Sequence, residues 1–338
     1  MPIRIPQLFF LALACLALLP SGTTSADYLN HPTAKIFAAQ MAERHGFDYN
    51  QVLALLGKAQ RRDDILALMT RPAEGKPWHK YRKIFLTERR IEEGVRFWSE
   101  YAADLQRLSA QYQVAPEIIV AILGVETFYG TRIGVHRVLD ALATLGFDYP
   151  PRAKFFRKEL AQFLLLAREE DRINPTVVKG SYAGAMGWGQ FIPSSYRTYA
   201  VDGDGERDLW GSPADAIASV ANYFARHHWR QGEPVAETTR VKGDYSKALT
   251  QGRKPQRTLT QLQRYGVEIP SDAPPDRKAK LLELEQPGDA KSFWLGYHNF
   301  YVITRYNRSH KYAMAVHQLS REILARRPHP QPPSARLP

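Results

Sequence analysis

A mainly helical protein carrying a small strand-containing elaboration late in the chain is what the sequence predicts, and three observations carry it. Apolar residues recur at intervals of three or four in several stretches up to about residue 230. After Trp229, Gly and Pro punctuation and short strand-like segments take over. A helical period returns over residues 312–323. The chain has 338 residues, 44% hydrophobic and 24% charged, the average of a soluble globular protein, which excludes a disordered, collagen-like or multi-spanning chain. It is long enough for two ordinary domains or one elaborated one.

The chain opens with a single charge, Arg4, then twelve consecutive apolar residues at 8–19 and a small-residue stretch ending at Ala26. This is the pattern of a secretory signal peptide, too short for a comfortable membrane span, so residues 1–26 are expected to be removed. The single cysteine, Cys15, lies in the middle of the apolar run. A lipoprotein signal places its cysteine at the end of that run, so a lipid-anchored form is the lesser alternative. One cysteine makes no internal disulfide and, without other ligand types nearby, no zinc or iron–sulfur site.

Residues 35–44 and 51–58 read as helices. Ile91, Val95, Trp98, Tyr101, Leu105, Leu108 and Tyr112 mark one face of a long amphipathic helix over 91–112. Pro116 suits the first turn of the next helix, and 118–125 is apolar nearly throughout, hence buried on all sides. Helices follow at 155–168 and 214–227, strands at 280–284 and 293–304, and a last helix at 312–323. From Pro328, five of eleven residues are proline, a disordered tail over 328–338.

Two stretches carry chemistry. Glu126 ends the apolar helix, where desolvation and the C-terminal end of the helix dipole both raise a carboxyl pKa, as a general acid near neutral pH requires. The alternative is a Glu that escapes to solvent just past the buried turn. Residues 180–196 hold four glycines in ten residues, interleaved with Tyr182, Met186, Trp188 and Phe191. Such a loop suits a backbone that approaches a ligand closely between aromatic faces; the alternative is an ordinary packed turn. The net charge of +12 suits an acidic polymer or an anionic membrane face. No zinc-finger spacing, Walker loop or RNA-binding aromatic signature is present, so nucleic acid is not an expected partner.

Gly124-Val125-Glu126-Thr127, the loop 181–196 and Ile303-Thr304-Arg305-Tyr306-Asn307, with residues 78–83, 218–224 and 312–316, resemble the lytic murein transglycosylase B family, glycoside hydrolase family 103. The resemblance runs from about residue 28 to about 325. It implies a lysozyme-like helical catalytic core with extra N-terminal helices within a catalytic region 27–327. The core spans about 86–230 and is completed by about 291–325, with the small elaboration at about 235–290. It also implies cleavage of the MurNAc to GlcNAc bond of peptidoglycan without water. Glu126 acts first as acid, then as base on the muramyl 6-hydroxyl, leaving a 1,6-anhydro end; a partner carboxylate is not required.

By the same resemblance, Tyr81, Arg152, Ser181, Gln190, Phe191, Tyr223, Tyr306, Asn307 and Tyr312 bind the sugars. Gln190 is further expected to hydrogen-bond one Glu126 oxygen. In two places the chain departs from the family: Pro151 stands where a second arginine is common before or beside Arg152, and Phe155 replaces a tyrosine. No cofactor is required. The family carries a calcium loop, and residues 202–208 offer oxygen side chains at alternate positions, with Asp202, Asp204, Glu206 and Asp215 as candidate ligands. Arg207 and Pro213 occupy the positions where an EF-hand wants Gly and a bidentate carboxylate. The implied setting is a periplasmic monomer meeting peptidoglycan strands and cell-wall synthesis proteins. Two rival readings are a hydrolytic muramidase, with Asp148 or Asp202 as second carboxylate, and a non-catalytic peptidoglycan-binding protein. The retained Glu126 and Gln190 weigh against the latter.

Overall fold

A computed structural model describes residues 28–70 and 75–327; the expected leader and the proline-rich tail lie outside the described residues. Three short helices come first, α1 (Pro32–His45), α2 (Tyr49–Gly57) and α3 (Asp63–Met69), followed by α4 (Trp78–Phe85), α5 (Glu88–Glu100), α6 (Ala102–Tyr112) and α7 (Pro116–Thr127). Caps fix several starts: the Asp48 carboxylate accepts from Gln51 N at 2.8 Å ahead of α2, and Thr87 caps α5.

The long helix expected over 91–112 is two helices. They part at Tyr101, whose backbone (φ −106°, ψ 29°) leaves the helical region while its ring packs 4.8 Å from Phe97. No Gly or Pro marks the break.

The middle of the chain gives β1 (His136–Arg137), α8 (Val138–Phe147), α9 (Ala153–Glu169), β2 (Lys179–Gly180), α10 (Pro193–Tyr199) and α11 (Pro213–Arg226). Helices α8 and α9 pack with α1–α3 around one apolar cluster that includes Phe37, Leu56, Leu142 and Phe163. The late part gives β3 (Ala236–Thr239), β4 (Arg257–Thr258), α12 (Leu259–Gln263), β5 (Lys278–Glu285), β6 (Lys291–Gly296), α13 (His298–Tyr306) and α14 (His310–Arg326). The four strands β3–β6 form an antiparallel sheet in the order β3-β6-β5-β4. Period-two alternation splits β5 between two cores: Ala279 and Leu281 face a small cluster with Leu259 and Leu262, while Leu282 and Leu284 face the main one.

Only the first four residues of the expected strand 293–304 are strand. From His298 the chain is helix α13, because its buried residues Asn299, Phe300, Ile303 and Thr304 fall at helical spacing and cover one face. The strand β6 also carries the elaboration to residue 296, past the expected boundary at 290. The mainly helical class with late strands is otherwise as expected.

Helix α7 is the centre of the main core. Residues 118–125 are all buried, against α14, α11 and α5. Its composition leaves no polar stripe to face water, so neighbours enclose it. That enclosure positions Glu126.

Candidate active site

Glu126 is the penultimate residue of α7 and is half-buried. Just beyond it, Phe128, Tyr129 and Gly130 take left-handed backbone in succession, with φ of 51°, 58° and 82°. Two aromatic residues in this region cost roughly 1–3 kcal/mol each and persist only where surroundings over-determine them. The Phe128 and Tyr129 amides donate to the Gly124 and Leu123 carbonyls at 3.2 and 3.1 Å, ending the helix abruptly. The Tyr129 hydroxyl donates to the Arg90 carbonyl at 2.8 Å and lies over Gly124, where a Cβ would come within 2.5 Å of it. Thr127 Oγ1 donates to the Trp188 carbonyl at 2.8 Å, joining this turn to the glycine-rich loop.

A buried arginine underlies the turn. Arg90 Nε donates to the Gly124 carbonyl at 3.0 Å, and Nη1 donates to the Ile84 and Phe85 carbonyls at 2.5 and 3.1 Å. It therefore caps α4 and satisfies a carbonyl near the end of α7 with one planar group. Burial pushes its pKa below the usual arginine range, and its guanidinium carbon lies 5.4 and 5.0 Å from the Phe85 and Phe128 ring centroids. Arg90 was not singled out from sequence. It shares a face of α5 with the buried Gly94 and Phe97, and a charge at that spacing is the signal that could have found it.

Tyr312 donates to Glu126 Oε1 at 2.5 Å. It stands in the first turn of α14, which Ser309 caps by accepting from Tyr312 N at 3.2 Å. Burial, then the Glu126 charge, holds the phenols of both Tyr312 and Tyr306 well above their ordinary range, and Tyr81 acts on Tyr312 in the same direction. Both phenols are thus protonated donors. Tyr306 donates to the Gly189 carbonyl at 2.5 Å, with its ring stacked on Phe224.

The expected bond from Gln190 to Glu126 is not what the amide makes: Nε2 donates to the Gly187 and Ile133 carbonyls at 2.9 and 3.2 Å. Gln190 has φ of 50°, so its backbone bends with the loop and its amide ties the bend down. Ser181 likewise shapes the loop, its Oγ accepting from the Ala183 and Ala185 amides at 3.2 and 3.0 Å. Gly134 is required by close approach, since a Cβ there would sit 2.1 Å from the Gly180 backbone.

Arg152, Gln190, Phe191, Tyr223, Tyr306 and Asn307 line one groove of about 820 Å³. Tyr81 and Tyr312 are buried instead, and Tyr223 turns its hydroxyl to the Arg305 carbonyl at 2.7 Å. Arg152 lies over Phe155, 4.5 Å from its centroid, so the ring that replaces a tyrosine still forms a wall of the groove. The rival second carboxylates are engaged elsewhere. Asp148 accepts from the buried Tyr28 hydroxyl at 2.5 Å, and Asp202 accepts from the Asp204 and Gly205 amides at 2.9 and 2.5 Å.

Asp202, Asp204 and Asp215 bring ligand oxygens within 4.8 Å of one another. Glu206 does not join them; it pairs with Arg172 at 2.9 Å. Asp215 is fully buried, and burial, reinforced by the charges of Asp204 and Asp202, raises its pKa while two backbone amides pull the other way. Three carboxylates converging on one buried member fit a hard cation with oxygen ligands.

The model of the transglycosylase SLT domain matches residues 30–321. The chain is 45% identical over 309 residues to the membrane-bound lytic murein transglycosylase B of Escherichia coli K12, covering 88% of this chain and 84% of that protein. The structure of the catenated lytic transglycosylase SltB1 of Pseudomonas aeruginosa superposes with a TM-score of 0.83 at 47% identity, over 88% of this chain and 99% of that one. The Escherichia coli lytic transglycosylase Slt35 in complex with calcium gives 0.79 at 44%, over 89% and 95%. The Pseudomonas aeruginosa SltB3 in complex with NAG-NAM-pentapeptide gives 0.76 at 32%, over 86% and 79%. The chain, with its lysozyme-like helical core and one carboxylate at the end of the central helix, belongs to the transglycosylase SLT-domain family of lytic murein transglycosylases.

Proposed function

We propose that the protein cleaves the MurNAc-β-1,4-GlcNAc bond of peptidoglycan with formation of 1,6-anhydro-MurNAc ends, using Glu126 as acid and then as base. The observation that carries the reading is the half-buried carboxylate of Glu126 at the end of the enclosed helix α7, held by the Tyr312 phenol, with both rival carboxylates committed to other partners. Protonated, Glu126 gives its proton to the glycosidic oxygen while the sugar's own N-acetyl group stabilises the positive anomeric carbon. Ionised, it takes the proton of the 6-hydroxyl, which closes on that carbon. No water is consumed. Arg152, Gln190, Phe191, Tyr223, Tyr306 and Asn307 form the groove for the strand, with Tyr81, Ser181 and Tyr312 supporting it.

Digestion of purified peptidoglycan followed by mass analysis of the muropeptides tests this. Anhydro-muramyl ends, 18 mass units lighter than hydrolysed ends by the loss of one water, are expected; reducing ends would establish a hydrolase, and undigested wall a binding protein.

Two further assignments go with this reading. The leader expected at 1–26 directs the chain to the cell envelope, where its relative is membrane-bound; no single helix among the described residues is long and apolar enough to cross a membrane. Asp202, Asp204 and Asp215 hold a structural calcium ion that bridges the loop to the start of α11, and no chemical step passes through it. At calcium a hundredfold above its Kd, stability rises by about 2.7 kcal/mol. Thermal unfolding with and without calcium should show this rise in the parent and not in Asp215→Asn.

A further inference from the structure

Between the C-terminal end of α11, the first turn of α13 and the strand elaboration lies a second cleft, of about 960 Å³. Its walls carry Arg226, Arg230, Lys254, Arg277, Lys278 and Arg305 against two carboxylates, Glu233 and Asp276. Glu233 is already engaged by Arg230 at 3.4 Å. Two of the cations lie against rings: Lys254 Nζ is 5.7 Å from the Tyr301 centroid, and the Arg277 guanidinium carbon 5.6 Å from that of Tyr297. A concave surface with such an excess of one sign concentrates field and attracts a polyanion.

The cleft meets the groove lined by Arg152, Gln190 and Tyr306, the glycan groove of the proposed reaction. Both are lined by His227 and Arg305, and the His227 ring is stacked on Tyr223 at 4.1 Å. One loop of the elaboration serves both, giving Arg253 to the groove and Lys254 to the cleft. The buried Lys280 anchors its root, donating to the Thr250 carbonyl and to Thr250 Oγ1 at 3.2 Å. On the groove side, Arg253 Nε is buried with no hydrogen-bond partner among the described residues.

We propose that this cleft binds the acidic peptide stems of the wall polymer. A stem attached to a sugar in the catalytic groove crosses His227 and sets its carboxylates against Lys254, Lys278 and Arg305. The inference rests on the groove being a peptidoglycan site. Continuity with the groove favours a ligand attached to the glycan, and Asp276 among the cations favours a peptide bearing an amino group over a uniformly anionic polymer.

The double variant Lys254→Glu, Lys278→Glu tests it, since both side chains are exposed and neither lines the catalytic groove. Two substrates are compared: peptide-bearing glycan strands, and the same strands stripped of peptide by an amidase. KM for the former should rise about tenfold with kcat unchanged, and KM for the latter should not move. Equal losses on both, or no loss on either, overturn the assignment. Calorimetric titration of a free acidic stem tetrapeptide should show binding to the parent and none to the variant. This arm reads the cleft even if the parent cuts neither strand, a result that sinks the transglycosylase reading alone. Displacement of the peptide by inorganic phosphate at equal concentration would mark a general anion site and overturn the peptide assignment.

Discussion

Glu126→Gln is expected to reduce the release of anhydro-muramyl ends by about 10⁴-fold or more, because it removes the proton donor and the proton acceptor of both chemical steps at once. The amide has the shape of the carboxyl and still accepts the Tyr312 hydroxyl, so the fold around α7 is expected to survive, as an unchanged thermal midpoint would show. Tyr312→Phe is the informative companion. It keeps the carboxylate and deletes the 2.5 Å donor, a hydrogen bond to a charged group contributing about 1.5–3 kcal/mol. Its kcat should fall roughly 10- to 100-fold. The phenol favours the ionised carboxylate, so without it the carboxyl keeps its proton to higher pH, and the alkaline limb of the kcat profile should move up. A Glu126→Gln protein that still releases anhydro ends would place the acid elsewhere, and a Tyr312→Phe profile lowered without displacement would make the phenol a packing group.

Helix α7 and its terminal glutamate were legible because all-round hydrophobicity has one structural outcome, burial, and burial of 118–125 leaves Glu126 at its edge. The loop 180–191 was legible for a similar reason: glycines at that density announce close backbone approach, as at Gly134 and Gly180. What stayed hidden depends on contacts between distant segments. The break at Tyr101 carries no Gly or Pro and so left no mark in the sequence. Residues 298–304 are rich in β-branched and aromatic side chains, and strand propensity outweighed the helical spacing of Asn299, Phe300 and Ile303, although their burial decides the outcome. Tyr312 lies 186 positions from Glu126, and the family resemblance pointed to a sugar-binding residue there. It gave no sign that the hydroxyl is spent on the carboxylate, nor that the Gln190 amide donates to the Gly187 and Ile133 carbonyls.

Arg90→Leu is expected to destabilise the protein by about 2–4 kcal/mol, the cost of deleting a buried charged donor shared by neutral carbonyls of two helices. The guanidinium holds three carbonyls from two helices; leucine leaves those of Ile84 and Phe85 without a side-chain donor at roughly 1–3 kcal/mol each, partly relieved by water, while the Gly124 carbonyl keeps the Phe128 amide. Arg90→Lys should recover only part of the loss, since one ammonium point cannot reproduce the planar fork that spans α4 and α7. Urea unfolding measures both variants, with the slope of the transition checked for a change in the unfolded state. The consequence for chemistry follows from geometry. Gly124 precedes Glu126 by two residues, and the left-handed turn at Phe128 and Tyr129 is held from below by Arg90, through its side chain at Gly124 and its carbonyl at the Tyr129 hydroxyl. Leucine removes the side-chain tie at Gly124 and keeps the backbone carbonyl that the Tyr129 hydroxyl uses, so the turn loses one of its two ties to residue 90. At temperatures where Arg90→Leu remains folded, kcat should still fall by about tenfold or more, because displacement of a catalytic group by about 1 Å is enough to misalign it. A variant that loses stability but keeps full kcat would show that the turn fixes Glu126 without the arginine, and that the strain at Phe128 and Tyr129 is held by the Thr127 link to the glycine loop instead.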